Sequence, residues 1–161
     1  MSLDADQLVE TLSLLSALGS GLIAGVFFAF SNFVMKALAQ RPPGEGIAAM
    51  QAINITVINP LFMGAFLGTA LLCLFCIGLA LWSPPANGVT ALWAGSLLYL
   101  VGVFGVTLVC NVPLNNALAA ETPGTESSRT LWRRYLQRWV AWNHVRSVAA
   151  LAAMVAFMLV R

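Results

Sequence analysis

Four long apolar stretches, separated by short segments that carry nearly all the prolines and charged residues, dominate the pattern along the chain. The stretches cover residues 8–38, 60–82, 88–110 and 139–160. A helix needs about 20 residues to cross a bilayer, because each residue adds roughly 1.5 Å toward a hydrocarbon core of about 30 Å. Each stretch is long enough. The pattern therefore predicts an all-α protein, a bundle of four transmembrane helices.

Composition supports this interpretation. The chain has 161 residues, of which 60% are hydrophobic and 9% are charged, and its mean hydropathy is +0.85. These values exclude an ordinary soluble domain. We expect residues 1–161 to form a single four-helix membrane domain.

The basic residues cluster in two of the three connections, and this asymmetry predicts the orientation. The basic residues of the first and third connections are Lys36, Arg41, Arg129, Arg133, Arg134 and Arg138. By the positive-inside rule both connections are cytoplasmic. The acidic N-terminal segment, the turn at 83–88 and Arg161 are then outside. We expect an integral protein of the bacterial inner membrane with both termini outside the cytoplasm. Because topology explains the net charge of +2, nucleic acid is not expected as a partner.

Two of the predicted helices are expected to extend beyond the membrane on the cytoplasmic side. Before the second span, apolar residues recur at helical spacing from Ile47 to Val57. Pro60 follows, and its ring can either begin a new helical segment or kink a continuous one. The fourth span is preceded by an aromatic and basic stretch, 132–139, with the composition of a membrane interface.

Small residues recur at four-residue intervals in the first two spans. Gly21 and Gly25 form one such pair, and Gly64 and Gly68 form another. Ridges of this kind let helix backbones approach closely inside a membrane. We expect them to make contacts within the chain; the alternative is a homo-oligomer that forms through these faces.

Arg146 is the most informative single residue. The apolar run that follows it, 147–160, reaches only about 21 Å and cannot cross the hydrocarbon core alone. The fourth span must therefore extend back to Trp139, which places Asn143, His144 and Arg146 within the membrane or at its inner edge. An ionisable residue in that position is costly and indicates a functional site.

Amide side chains supply the expected surroundings of Arg146. Asn111 and Asn115 flank Pro113 at the end of the third span, four residues apart, and Asn54 precedes the second span. No span contains a carboxylate close enough to pair with Arg146. Since the Cα–Cβ bonds of a helix tilt toward its N-terminus, Arg146 can extend into this amide layer. We predict that it contacts the Asn111 and Asn115 region, directly or across a ligand.

His144 is the only histidine, and its intrinsic pKa suits a general base. The alternative is a packing or interfacial residue. One imidazole without nearby carboxylate or thiolate ligands does not predict a metal site. The sequence also lacks the motifs of hydrolases and nucleotide-binding enzymes, which disfavours both classes. The polar residues could form a ligand-binding or catalytic pocket, or they could tie the four helices together by hydrogen bonds.

Several of these segments together resemble the anthrone oxygenase-like family of small four-helix membrane proteins. The resemblance covers roughly residues 19–159. Its most specific parts are the NVPxN pattern at 111–115 and the W-x2-W-N-x-V-R pattern at 139–146. The other matching parts are residues 21–30, Met35, Asn54 and residues 60–62.

The resemblance implies an oxygenase. Fungal members of the family oxidise an anthrone to an anthraquinone with O₂, without an identified metal or flavin, whereas most bacterial members have no assigned function. In the implied chemistry His144 is the base, and Arg146, Asn111 and Asn115 hold the resulting anion. The residues expected to bind the substrate are Asn54, Asn111, Asn115, Trp139 and Asn143.

Three functions follow from the sequence. The leading prediction is a cofactor-independent membrane oxygenase that acts on a flat, lipophilic, anthrone-like or phenolic molecule. The alternative is a non-enzymatic membrane module that binds a lipid, a quinone or a partner helix in the pocket around Arg146. The third is a purely structural subunit. A proton-coupled transporter is disfavoured, because the spans lack the acidic residues of a proton relay.

Overall fold

The computed structural model of the protein describes residues 5–85 and 87–160. Asp4, Ala86 and Arg161, which lie in segments used to predict the orientation, are outside the described residues. Within the described residues the chain forms five helices and no strand. Three of the helices are α-helical throughout: α2 covers Pro43–Thr56, α3 covers Pro60–Trp82 and α5 covers Glu126–Met158.

The other two helices, α1 and α4, contain π-helical segments. In α1 the α-helical parts Ala5–Ala29 and Met35–Ala39 are joined by the π-helical segment Phe30–Val34. α4 begins as the α-helix Val89–Leu97 and ends as the α-helix Val112–Ala119. Between these parts lie the π-helical segments Leu98–Gly105 and Thr107–Asn111.

Four helical stretches have the length and hydropathy needed to cross a membrane. They are Gln7–Ala39, Pro60–Trp82, Val89–Ala119 and Glu126–Met158, with hydropathy between 1.3 and 2.3. The predicted all-α bundle of four membrane helices is thereby confirmed, and the chain is an integral membrane protein.

The helices pack around two apolar clusters. α1 packs along α5 and α3, while α4 packs against α5 and α3. The cluster between these spans includes Ile23, Tyr99 and Phe157. A second cluster, which includes Met50 and Trp132, lies where α2 contacts the beginning of α5 and the end of α4. We call this end of the molecule the α2 end.

Pro60 begins a new helix and does not kink a continuous one. α2 ends at Thr56, and Asn59 then caps α3 by accepting hydrogen bonds at Oδ1 from the backbone N–H groups of Leu61 (3.1 Å) and Phe62 (3.0 Å). Pro60 occupies the first helical position, where its missing N–H is not needed. The predicted extension before the second span is therefore a separate helix, whereas that of the fourth span is continuous within α5.

Of the four predicted glycines only Gly21 makes a close helix contact, since a Cβ atom added there would lie 2.8 Å from Sδ of Met154 in α5. A Cβ atom added to Gly102 in α4 would lie 2.6 Å from Cβ of Ala149 in α5. Gly25, Gly64 and Gly68 face open space, so the prediction of contacts within the chain is wrong for these three. Sequence spacing shows which residues share a helix face but not which face meets a neighbour.

Candidate functional site

A cavity of about 310 Å³ lies between the helices at the α2 end. This volume is at the lower limit of ordinary ligand pockets, which measure about 300–1,000 Å³. Most of its wall is apolar and much of it is aromatic. The lining residues are Val26, Phe27, Phe30, Met50, Ile53, Asn54, Val57, Ile58, Phe62, Met63, Phe66, Leu67, Phe104, Thr107, Leu108, Val112, Asn115, Trp139 and Arg146.

Arg146 supplies the positive charge of this wall and is only 4% exposed. Its Nη1 donates to Oγ1 of Thr107 (3.1 Å) and its Nη2 donates to Oδ1 of Asn143 (2.6 Å). The guanidinium carbon lies 4.1 Å from the ring centroid of Phe27 and 5.3 Å from that of Trp139, so both rings contribute cation–π contacts.

No carboxylate neutralises this guanidinium within the described part of the chain. The ion pairs formed there, Arg41–Glu45 and Arg129–Glu126, join exposed residues away from Arg146. The buried Nε of Arg146 also lacks a hydrogen-bond partner among the described residues. A buried cation held only by neutral groups leaves a positive potential in its surroundings, which favours an anion in the cavity.

Asn143 holds Arg146 in place from behind the cavity wall. This side chain is fully buried, and its Nδ2 donates to the backbone carbonyl of Phe27 (2.7 Å) and to Oγ of Ser31 (2.6 Å). The bonds therefore anchor α5 to α1 next to the π-helical segment Phe30–Val34. Irregular turns of this kind often occur at functional sites.

A second hydrogen-bond network fixes the indole of Trp139 in the wall. Oδ1 of Asn115 accepts hydrogen bonds from Oη of Tyr135 and from Nε1 of Trp139, both at 2.8 Å. The rings of Trp132, Tyr135 and Trp139 stack in succession, with centroids 5.6 Å and 5.9 Å apart. Asn111 is 1% exposed and donates from Nδ2 to the backbone carbonyl of Trp139 (3.2 Å).

A polar groove adjoins the cavity between α2 and the end of α4. Gln51 anchors α2 there, because its Nε2 donates to the carbonyl oxygens of Leu118 (2.8 Å) and Glu121 (3.0 Å). Groove and cavity share a wall formed by Asn54, Ile58, Val112 and Asn115. The remaining groove residues are Gln51, Ile55, Asn116 and Ala119.

The structure brings four of the seven predicted site residues to the cavity wall, namely Asn54, Asn115, Trp139 and Arg146. Asn143 and Asn111 lie behind the wall, bonded to Arg146 and to the backbone of Trp139. The direct contact predicted between Arg146 and the Asn111–Asn115 region is not found, because the guanidinium donates to Thr107 and Asn143. Arg146 and Asn115 can act on one molecule only across the cavity.

The structure does not bring His144 to the cavity. This residue is on the exposed face of α5, because one residue along a helix rotates the side chain by about 100° from that of Asn143. The cavity is lined by no histidine and no carboxylate among the described residues. The described residues also contain no group of three or more His, Cys, Asp or Glu side chains that could hold a metal ion.

The sequence analysis missed Thr107, Phe27, Ser31 and Tyr135. A signal was available for Thr107, because it lies four residues before Asn111 and interrupts an apolar span. Phe27 contributes its ring and its carbonyl oxygen, for which the sequence carries no signal.

Comparison with known proteins identifies the family. No curated protein matches the chain, and no solved structure matches it. The model of the anthrone oxygenase family matches residues 61–156, which is more than half of the chain. The matched region contains most of α3, all of α4 and most of α5, and with them Arg146 and all the amide residues of the site except Gln51 and Asn54. The chain therefore belongs to the anthrone oxygenase family.

Proposed function

We propose that the protein is a membrane oxygenase that uses O₂ to oxidise a flat, lipophilic, anthrone-like or phenolic molecule in the cavity beside Arg146. The observation that carries this proposal is a buried arginine in the wall of an apolar, aromatic-lined cavity, with no carboxylate partner among the described residues. Membership of the anthrone oxygenase family supports the reaction class.

The cavity suits a planar aromatic molecule with one polar edge. The rings of Phe62, Phe66 and Phe104 line it together with aliphatic side chains, and these surfaces favour a flat apolar body. The donors and acceptors of the wall are few. An oxygen on the edge of the substrate would bind beside the Arg146 guanidinium, which is the strongest electrostatic group in the cavity wall.

Arg146 assists the reaction by favouring the ionised substrate. An anthrone that loses a proton from its CH₂ group becomes an anion whose charge is largely on oxygen, and a nearby guanidinium stabilises that charge. The anion transfers one electron to O₂, and the radical and superoxide combine to form a C–O bond. The resulting hydroperoxide loses water, so that CH₂ and O₂ become C=O and H₂O. The protein contributes positioning and electrostatics to this scheme.

The proton must leave the substrate without a histidine or carboxylate from the described cavity wall. We assign its removal to water in the polar groove, which meets the cavity at Asn54 and Asn115. Water accepts the proton and becomes hydronium, or hydroxide accepts it and becomes water. Either species exchanges protons with the buffer. His144 is not needed in this scheme.

Oxygen uptake tests the proposal. Protein in lipid nanodiscs should consume O₂ with emodin anthrone faster than empty nanodiscs, and one carbonyl should form for each O₂ consumed. Pretreatment with a chelator followed by desalting tests the prediction of cofactor independence, which expects the rate to be retained. Rates equal to those of empty nanodiscs across several anthrones would contradict the proposed activity.

One observation favours a second candidate function, a non-enzymatic module that binds a lipid or a quinone. The described cavity wall offers no side chain that could act as a general base. If the protein is such a module, an anthraquinone should bind to it and the affinity should decrease when Arg146 is replaced. Oxygen uptake with an anthrone should stay at the spontaneous rate.

A further inference from the structure

Three apolar residues of the cavity wall are exposed on the outer surface of the bundle. Ile58, in the connection between α2 and α3, is 71% exposed and also lines the groove. Leu67 in α3 and Leu108 in α4 are 40% and 50% exposed and do not line the groove. Both belong to helical stretches that are long and apolar enough to cross a membrane. An exposed apolar surface on a membrane-spanning helix is expected to face lipid chains, so the opening between these residues should meet the hydrocarbon of the bilayer.

The course of α4 explains why an opening exists there. The α-helix Val89–Leu97 and the π-helical segment Leu98–Gly105 pack against α3, whereas the final part, Val112–Ala119, packs against α2 and α5. Leu108 lies in the segment where α4 passes from one neighbour to the others. Leu67 of α3 and Leu108 of α4 line the cavity that Arg146 also lines, from the two helices that separate there.

The polar groove offers a second route into the cavity, lined partly by amide side chains. It reaches the surface beside Asn116, which is exposed, and meets the cavity at Asn54 and Asn115. A water-dissolved molecule would have to pass these amides, whereas a bilayer-dissolved molecule meets only aliphatic side chains at Leu67 and Leu108.

We propose that the substrate enters the cavity sideways from the bilayer, through the opening between Leu67 and Leu108, which we name the lipid portal. The substrate class is accordingly a neutral aromatic molecule dissolved in the membrane. An anion would lose its hydration in crossing this apolar mouth, at a high free-energy cost. The molecule therefore ionises only after it lies beside Arg146. The ionisation of the substrate beside Arg146 rests on the proposed function. The route of entry through the lipid portal does not depend on it.

The route can be tested by binding kinetics without turnover. Neutral 1,8-dihydroxyanthraquinone serves as the probe, in oxygen-free buffer, with the protein in nanodiscs and binding followed by the fluorescence of the probe in stopped flow. Leu108→Trp should narrow the portal and slow both association and dissociation, each about fivefold or more, because a barrier on the route acts in both directions. Leu108→Ala should accelerate both rates. Asn116→Trp is the matched control in the groove and should alter neither rate.

Three outcomes overturn the proposed route. Slower rates in Asn116→Trp with normal rates in Leu108→Trp would place the route in the groove. A changed Kd with normal association in Leu108→Trp would show that this side chain acts on the bound molecule and not on its entry. Absence of probe binding to the unaltered protein would show that the cavity does not accept such molecules. A protein that binds the probe through the portal but consumes no O₂ would retain the route and refute only the proposed oxygenation.

Discussion

Asn143 and Arg146, one turn apart on α5, are joined by a hydrogen bond of 2.6 Å from Nη2 of the arginine to Oδ1 of the amide. The same amide donates to Phe27 and Ser31 on α1. A carboxylate at this position would orient the guanidinium equally well but would also neutralise it. An amide orients the guanidinium and leaves its charge available to a ligand.

Removing the charge should abolish activity and preserve the fold. Arg146→Leu eliminates a buried cation that has no carboxylate partner among the described residues, and this gain offsets the loss of the hydrogen bond to Asn143, so stability should change little. We expect oxygen uptake with emodin anthrone to fall about 100- to 1,000-fold, as for the loss of other groups that stabilise a developing anion. Arg138→Leu, which removes an exposed arginine from the same helix, is the matched control. Full activity in Arg146→Leu would refute the role of the guanidinium.

Replacing the amide of Asn143 by a carboxylate should keep the guanidinium of Arg146 oriented while neutralising its charge. Asn143→Asp removes the donor to the carbonyl of Phe27 and to Ser31, which should lower the temperature of unfolding. It retains an acceptor for Arg146 and creates an ion pair, so the folded protein should persist. Activity should nevertheless decrease, because the paired guanidinium stabilises a substrate anion less strongly. The measurement is the rate of oxygen uptake together with the elution profile in detergent. A variant as active as the unaltered protein would show that the net charge of the site is unimportant.

Removing the amide altogether should destabilise the bundle. Asn143→Ala leaves the guanidinium of Arg146 and the carbonyl of Phe27 without this partner, and each buried polar group left unpaired costs about 1–3 kcal/mol. We expect a lower temperature of unfolding in detergent. Asn116→Ala, at an exposed amide, should leave this temperature unchanged.

Replacing His144 should have no effect on oxygen uptake. The side chain lies on the exposed face of α5, away from the cavity. His144→Ala is therefore expected to retain the rate and the substrate KM of the unaltered protein. A large decrease in rate with normal folding would mean that the imidazole reaches the substrate in another conformation, and the role predicted from the sequence would be restored.

A single methyl group should distinguish glycines in contact from glycines facing open space. Gly102→Ala would place Cβ against Ala149, and the overpacking should cost about 1–3 kcal/mol. Gly68→Ala adds the same atom where nothing lies within 4 Å, so stability should not decrease. The fraction that remains monodisperse after heating in detergent compares the two variants. Equal losses would contradict the packing of α4 on α5.

The orientation stays a prediction that labelling can test. Cysteine introduced at Asn87 should react with a membrane-impermeant maleimide in intact cells, because the turn at 83–88 is expected outside. Cysteine at Thr122, in the connection before α5, should react only after the cells are opened. Reaction at Thr122 in intact cells would reverse the orientation and place the polar groove on the outer side.

The sequence by itself determined the properties that depend on local composition. The four membrane helices follow from the length of their apolar stretches, because the bilayer imposes a length and a polarity on any segment that crosses it. The same comparison of lengths places Arg146 within the fourth span, because the apolar run after it is too short to cross the bilayer alone. Pro60 predicted either the start of a new helix or a kink in a continuous one. The cap that Asn59 provides for α3 shows that a new helix begins there.

Only the tertiary structure decided which helix faces meet. Asn143 and His144 are adjacent in the sequence, yet one is fully buried against Phe27 and the other is exposed. Gly102 contacts α5 while Gly68 faces open space. In a chain that is apolar on nearly all sides, hydrophobicity does not distinguish the faces that touch protein from those that touch lipid. The partners of Arg146 and the position of the cavity therefore depend on packing between helices far apart in the sequence.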